Sequence, residues 1–250
     1  MIHLKTAEEI AIMQDGGNRL MKVVDALLPQ IKVGQTTEEI DKIAEQLIER
    51  NGGEPSFKRV PNYFWSTCLP INEQVVHTPP SKRRLEDGDV LTVDIGMYFK
   101  GFHTDYATTL IVGQSKDLKK EQFLRVGQEA LEKAVAVAKS GNHLGEISRT
   151  VQEEIYKNNY FILKELTGHG VGRELHEDPY VPNFVERPLE KTYRLRQGLV
   201  IAIEVIYSMG TERISYEEGD DWSIRSRDKS LTACFEKTVA ITDEKTYVLT

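Results

Sequence analysis

Few cysteines, no long apolar segment and no dense basic tract occur in this sequence of 250 residues. Its two cysteines are too few for a disulfide framework, and neither has the spacing of a zinc knuckle. No apolar run approaches the roughly 20 residues that a membrane-spanning helix needs. The 39 acidic residues outnumber the 32 basic ones, and the resulting net charge of −7 disfavours binding to nucleic-acid phosphates. We therefore expect a cytoplasmic protein with no membrane segment and no specific nucleic-acid partner.

The order of helix and strand patterns occurs twice along the chain. In each half, two amphipathic helix patterns precede apolar strand patterns. Residues 85–94 match residues 195–204 at an offset of 110, and residues 34–40 match residues 141–147 at an offset of 107. All αβ chains place similar residues, such as glycine, at the ends of helices and strands, which would explain one such match. It explains several matches in the same order less well. The pattern therefore indicates an internal duplication.

The duplication predicts an α+β fold in which two helix–helix–strands halves share one antiparallel sheet. We expect a single domain, residues 1–250, with pseudo-repeats of about 1–115 and 116–250. The repeated segment ends in an acid both times, at Asp94 and at Glu204, after a strand-like apolar run. An ionised carboxylate in such a run needs a partner or a metal ion.

A hairpin with its turn at Lys100-Gly101 would place two carboxylates on one face of the sheet. With that turn, Asp94 faces Ala107. Asp105 then faces Gly96, whose missing side chain leaves space, and the two aspartates are diagonal neighbours with backbones about 7–8 Å apart. Taken alone, the pair could be solvated on an exposed face. Two facing carboxylates in a buried place would instead require a cation.

Three further side chains favour the cation. Glu204 occupies the position equivalent to the first aspartate of the pair, and Glu236 begins the last predicted strand, as the second aspartate begins its own. His169 lies in the glycine-rich segment 168–172, where glycines permit unusual backbone angles and close approach. If the pseudo-symmetry brings these groups together, four carboxylates and one imidazole predict a site for two divalent cations, such as Mn, Fe, Co or Zn.

These residues belong to a longer series of motifs. In order, the motifs are Asn72-Glu73-x-x-x-His77, Asp94-x10-Asp105, Gly168-His169-Gly170-x-Gly172, His176-Glu177, Glu204 and Glu236. The series resembles the type I methionine aminopeptidases over essentially the whole chain. The resemblance implies the pita-bread fold, itself an internal duplication. It also implies a metal-dependent aminopeptidase that removes the initiator methionine from nascent proteins with a small second residue.

The resemblance implies a ligand role for five residues. Asp94 and Asp105 would bind one metal ion. His169 and Glu204 would complete the second position. Asp105 and Glu236 would bridge the two ions, and a hydroxide held between the ions would be the nucleophile.

The resemblance also implies catalytic and substrate-binding roles. Glu204 would be the general base, which later delivers its proton to the leaving amine. His176 would stabilise the oxygen of the tetrahedral intermediate, and His77 would contact the scissile nitrogen, so both would also bind substrate. Three further residues match the methionine pocket of the family: Tyr63, Cys68 and Trp222.

Four positions depart from the family pattern. They are Val60, within a segment that is usually Gly- and Tyr-rich, Leu175, where an aromatic residue is common, Val205, where proline is usual, and Lys237, where histidine is frequent. None of these changes removes a candidate ligand. Because Val60 and Leu175 replace ring atoms, they predict a looser substrate pocket.

Other functions would be compatible with the same fold. An Xaa-Pro peptidase or an amidohydrolase of altered specificity would keep the metal chemistry, but such relatives usually have a large N-terminal domain, and here only about 90 residues precede Asp94. A non-enzymatic binding protein would typically have lost ligands, whereas all five candidates are present. We expect peptide or nascent-polypeptide N-termini as substrates and a monomeric enzyme, and transient contact with the ribosome stays open.

Overall fold

The computed structural model describes residues 2–114 and 116–250. The α-helices are α1 (Ala7–Leu27), α2 (Thr37–Arg50), α3 (Leu118–Val137) and α4 (Leu144–Lys157). The strands are β1 (Glu54–Pro55), β2 (Thr67–Cys68), β3 (Gln74–Val76), β4 (Val90–Phe99), β5 (Phe102–Ile111), β6 (Phe161–Ile162), β7 (Thr167–Gly170), β8 (Glu177–Pro182), β9 (Val200–Ser208), β10 (Ile214–Tyr216), β11 (Ile224–Ser226), β12 (Thr232–Ile241) and β13 (Thr246–Val248). Short 3-10 helices lie at Leu28–Gln30, Phe57–Arg59 and Leu189–Lys191. Within the described ranges, no helix combines the length and apolarity needed to cross a bilayer.

Capping boxes begin both helices of the first half. The Thr6 hydroxyl accepts a hydrogen bond from the Glu9 amide, and the Glu9 carboxylate accepts one from the Thr6 amide. Thr36 and Glu39 repeat this arrangement at the start of α2. These side chains satisfy amides that have no partner within the helix.

One large antiparallel sheet joins the two halves. Its strand order is β1-β4-β5-β12-β9-β7-β8, with β2 beside β4, β6 beside β9 and β13 beside β12. The β4–β5 hairpin turns at Lys100-Gly101, and its register pairs Asp94 with Ala107 and Gly96 with Asp105, as predicted. The halves meet where β5 pairs with β12.

Alternation along the central strands gives the sheet a face that packs against the helices and an opposite face that carries the acids. Val93 and Ile95 of β4 pack in a core with α1 and α2. Ile203 and Val205 of β9 pack in a second core with α3 and α4. Side chains at the intervening positions point away from the helices. The candidate ligands lie on that opposite face.

The predicted α+β fold and internal repeat are confirmed, but two strand boundaries were wrong. Gly88 and Gly198 have φ values of 89° and 88° in the equivalent turns before β4 and β9. Glu236 does not begin its strand, because β12 starts at Thr232 and pairs with β9 along nine residues. Asp105 likewise lies within β5. Both acids therefore lie at the middle of the sheet instead of at a strand end.

A small second sheet, β10-β11-β3, carries two of the predicted site residues. His77 follows β3 directly, and Trp222 lies in the connection between β10 and β11. This sheet contacts β12 through β3. It therefore brings residues from both halves to the edge of the face that carries the acids.

Candidate metal centre and peptide pocket

A row of acids crosses the centre of the large sheet. Asp94 pairs with Ala107, which pairs on its other side with Glu236. Glu236 pairs in turn with Glu204. Directly paired residues have Cβ atoms about 4.5–5.5 Å apart, so three acids and one small alanine form a continuous row. Asp105 lies two residues before Ala107 and thus on the same face.

His169 presents one ring nitrogen to these acids. Its ligand atom and those of Asp105 and Glu236 all lie within 4.8 Å of one another, and all three residues are buried. His169 Nε2 lies 3.4 Å from Glu204 Oε1. His169 Nδ1 lies 2.8 Å from the Gly170 carbonyl oxygen, which can only accept, so Nδ1 carries the proton. The lone pair of Nε2 therefore faces the carboxylates.

Close packing explains the glycines beside His169. A Cβ atom at Gly168 would lie 3.2 Å from the Glu204 amide nitrogen, and one at Gly170 would lie 2.7 Å from the Asp178 carbonyl carbon. Neither glycine has a positive φ. The predicted close approach is therefore present, whereas the predicted unusual backbone angles are not.

The sequence predicted that the missing side chain of Gly96 leaves space beside the two aspartates, but residues of another loop fill that space. A Cβ atom there would lie 2.7 Å from Ser56 Cβ and 3.1 Å from the Phe57 ring. Ser56 Oγ in turn lies 2.9 Å from Nδ1 of the buried His103. Gly96 thus admits the loop that forms one wall of the pocket.

Burial and mutual repulsion raise the pKa values of the clustered acids. Burial raises the pKa of Asp105 to about 7. Burial, reinforced by neighbouring carboxylates, also raises the pKa of Asp94, Glu204 and Glu236 well above the usual range. Burial lowers the pKa of His169 to about 3, so its imidazole is neutral at physiological pH. A neutral imidazole is the form that binds metal ions.

The donor set fits divalent cations. Glu236 Oε1 is buried and accepts no hydrogen bond from any residue in the described ranges, so it is available as a ligand atom. Carboxylate oxygens and an imidazole nitrogen suit Mn, Fe, Co or Zn. Two such ions would balance up to four negative charges and offset the mutual repulsion of the carboxylates.

An open pocket collects all the predicted site residues. It has a volume of about 590 Å³, counting its open mouth, and all five candidate ligands line it. The other predicted residues that line it are His77, His176, Tyr63, Cys68 and Trp222. His77 and His176 are exposed, and the His176 ring lies edge-on to the His169 ring, with centroids 4.4 Å apart. The two histidines therefore occupy the mouth above the buried acids.

The pocket wall is aromatic and tightly held. The Tyr63 hydroxyl donates to the Thr67 carbonyl oxygen at 2.8 Å and lies 3.1 Å from Cys68 Sγ. The Tyr63 ring meets the Trp222 ring edge-on, with centroids 5.0 Å apart, and meets the Trp65 ring at 5.3 Å. These contacts fix an apolar cleft beside the acids.

Two lining residues carry no distinctive signal in the sequence. Phe57 lies in a 3-10 helix, and Val76 ends β3. Both resemble ordinary core residues, and Val76 pairs with Ile224 of β11, which is far away in the sequence. Such long-range pairing leaves no local pattern.

Only two of the four departures from the family pattern affect the pocket. Val60 and Leu175 line it. Val205 packs in the helix-facing core of the second half. Lys237 follows Glu236 on β12 and so points to the opposite face.

Comparison with known proteins agrees with this geometry. The sequence profile of metallopeptidase family M24 matches residues 11–243. The methionine aminopeptidase of Mycoplasma capricolum is 38% identical over 251 aligned residues, which cover 100% of this chain and 98% of the relative. The crystal structure of the Thermotoga maritima methionine aminopeptidase matches with a TM-score of 0.95 at 34% identity, covering 100% of this chain and 99% of the other.

A prolidase shares the fold but extends well beyond the matched region. The Pyrococcus furiosus enzyme matches with a TM-score of 0.79 at 26% identity, and the alignment covers 98% of this chain but 64% of the prolidase. The similarities confirm the predicted pita-bread fold and the predicted class of metal-dependent peptidase. This chain belongs to metallopeptidase family M24, among its methionine aminopeptidases.

Proposed function

We propose that this chain removes the N-terminal methionine from polypeptides with a small second residue, including the initiator methionine of nascent proteins. One observation carries the proposal: an apolar cleft opens directly onto the buried cluster of four acids and His169. Full-length similarity to methionine aminopeptidases supports it. In this proposal residues 1–250 act as one monomeric catalytic domain in the cytoplasm, where any contact with the ribosome is transient.

Five residues would hold two divalent ions. Asp94 and Asp105 would hold one ion. His169 and Glu204 would hold the other, with Asp105 and Glu236 shared between them. Bound there, the ions would lower the pKa of a water molecule and polarise the scissile carbonyl.

Three residues would act directly on the substrate. Glu204, whose carboxylate borders the pocket, would take the proton from the attacking water and pass it to the leaving amine. His176 would donate a hydrogen bond to the carbonyl oxygen as negative charge develops on it. His77, across the mouth, would contact the scissile nitrogen.

The cleft would bind the methionine side chain. A flexible, unbranched thioether adapts to the space between Tyr63, Cys68 and Trp222. Hydrophobic pockets discriminate by only about 1–3 kcal/mol per methylene group, so we expect leucine to be disfavoured by tens- to hundreds-fold. Val60 and Leu175 supply no rings, which would widen the cleft and weaken this discrimination.

A peptide panel assayed with Mn, Co, Fe and Zn tests the proposal. Met-Ala and Met-Gly peptides should be cleaved fastest, norleucine and leucine analogues weakly, and methionine peptides with a bulky second residue very little. Metal-free protein should be inactive. Faster cleavage of Xaa-Pro peptides than of Met-Ala would overturn the proposed specificity, and no cleavage with any metal would overturn the enzymatic function.

A further inference from the structure

A buried ion pair connects the segment before α1 to the residue that follows His176. Lys5 Nζ lies 2.6 Å from Glu177 Oε2, and the two side chains are only 4% and 7% exposed. By contrast, the side chains of the Lys164–Glu212 pair are 40% and 36% exposed. Removing both charges of a pair from water is costly, so a buried pair requires well-fixed geometry.

Both partners of this pair are fixed by further hydrogen bonds. The Lys5 amide donates to the Gly198 carbonyl oxygen at 2.6 Å, which holds Lys5 against the turn before β9. Lys5 Nζ also donates to the His3 carbonyl oxygen at 3.1 Å. On the other side, Glu177 Oε1 accepts from the Glu174 amide at 3.2 Å. The ion pair thus joins an anchored lysine to both ends of the segment 174–177.

The glycine at position 172 makes room for the pair. A Cβ atom on Gly172 would lie 2.6 Å from both Glu177 Oε1 and Lys5 Nζ, so a larger residue would push the pair apart. The Gly172 carbonyl oxygen accepts from the His103 amide of β5 at 2.7 Å. The loop 172–177 is therefore held from the large sheet at one end and by the Lys5 pair at the other.

His176 lies in this loop, directly before Glu177. It is exposed at the pocket mouth, and its ring contacts that of His169 from one side. We propose that Lys5 and Glu177 are positioning residues, which hold the His176 imidazole where it meets the reacting carbonyl. This inference rests on the proposed function and on the role of His176 within it.

The first test removes the charge of Lys5 and keeps the length of its side chain. In the metal-loaded enzyme, Lys5→Met should lower kcat for a Met-Ala peptide by about tenfold to a hundredfold, because a small displacement of a catalytic group has effects of that size. KM and the bound metal should stay unchanged, since His176 acts in the transition state. Lys164→Met, which removes an exposed pair, is the matched control and should leave kcat unchanged.

The second test separates positioning from a general structural role. If Lys5 acts only through His176, adding Lys5→Met to a His176→Ala enzyme should lower kcat no further. Losses that multiply in the double variant would overturn the inference. Glu177→Gln, which conserves volume and can still accept from Glu174, should reproduce both results.

The remaining outcomes are also decisive. If circular dichroism shows that Lys5→Met and Glu177→Gln both unfold, the pair is a stability element and the positioning role is rejected. If the wild-type enzyme cleaves Met-Ala and Lys5→Met is as active, only the inference fails. If the wild-type enzyme cleaves no methionine peptide, the proposed function fails and the inference fails with it.

Discussion

The two halves of the chain share a framework but contribute different groups to the site. On the side of β4 that faces away from β5, Ile71 pairs with Leu91. On the side of β9 that faces away from β12, Gly170 of β7 pairs with Ile201. Because 201 − 91 equals the repeat offset of 110, Ile71 and Gly170 are equivalent positions. This register allows the functional residues of the halves to be compared one by one.

The equivalence shows which groups are duplicated and which are not. The residue before each equivalent position is Pro70 in the first half and His169 in the second, so only the second half offers an imidazole there. Six residues after each equivalent position lie His77 (71 + 6) and His176 (170 + 6). The duplication therefore supplies one acid of the central row twice, as Asp94 and Glu204, and the histidines of the mouth twice, whereas Glu236 is equivalent to Ala107. The imidazole of the candidate metal centre occurs only once, because Pro70 of the first half stands at the position equivalent to His169.

The largest effect should follow from replacing the two carboxylates that we expect to contact both metal ions. Asp105→Ala in the first half and Glu236→Ala in the second should each abolish hydrolysis of Met-Ala and lower the bound metal, because each carboxylate is proposed to contact both ions. Activity assays and elemental analysis of purified protein measure the two effects. Full activity of Asp105→Ala with unchanged metal content would refute the ligand assignment.

The equivalent histidines should give the next largest effect. His176→Ala should lower kcat by roughly a hundredfold or more, since a lost hydrogen-bond donor to a developing oxyanion has that effect. His77→Ala should also lower activity, and both variants should keep the metal content of the wild-type enzyme. Loss of metal from His176→Ala would show that this residue is a metal ligand and would contradict its proposed role in binding the substrate alone.

A smaller effect should come from the pocket wall. The double variant Val60→Tyr, Leu175→Phe restores rings and should raise the preference for methionine over leucine by about tenfold, in line with the discrimination of tight apolar pockets. The ratio of kcat/KM for Met-Ala and Leu-Ala peptides measures it. Lys237→His, which restores the frequent family residue on the opposite face, is the control and should leave the ratio unchanged. An unaltered ratio in the double variant would show that these side chains do not limit the cleft.

The smallest effect concerns the stability of the metal-free protein. The folded pKa of Asp105 is about 7, above its ordinary value of about 4. A carboxyl with a raised pKa binds its proton more tightly in the folded state, so its contribution to stability is lost as pH rises through about 7. The Tm of metal-free protein should therefore fall between about pH 5 and about pH 8, and less steeply in Asp105→Asn. Added Mn²⁺ should restore more stability at the higher pH, and an equal pH dependence in Asp105→Asn would contradict this account.

Local patterns were sufficient to predict much of this geometry. The turn residues Lys100-Gly101 set the hairpin register, which placed Asp94 and Asp105 on one face as expected. The match between residues 85–94 and 195–204 placed Glu204 in the equivalent strand. These inferences succeeded because each depends on residues close in sequence or on a direct repeat.

Long-range contacts were beyond the reach of such patterns. The position of Glu236 within its strand depends on pairing with β9, about 30 residues away in sequence, and was predicted wrongly. The approach of Lys5 to Glu177 spans 172 residues and leaves no periodic signal. The equivalence of Pro70 and His169 also depends on two long-range pairings, that of Ile71 with Leu91 and that of Gly170 with Ile201.

Anomalous diffraction from crystals grown with Mn²⁺ tests the central claim most directly, namely that the two halves together build one centre for two metal ions. Two peaks should lie in the pocket within coordination distance of their ligand atoms. One peak should lie beside Asp94 and Asp105 of the first half, and the other beside His169 and Glu204 of the second. Peaks confined to the residues of one half, or lying outside the row of acids, would contradict the account.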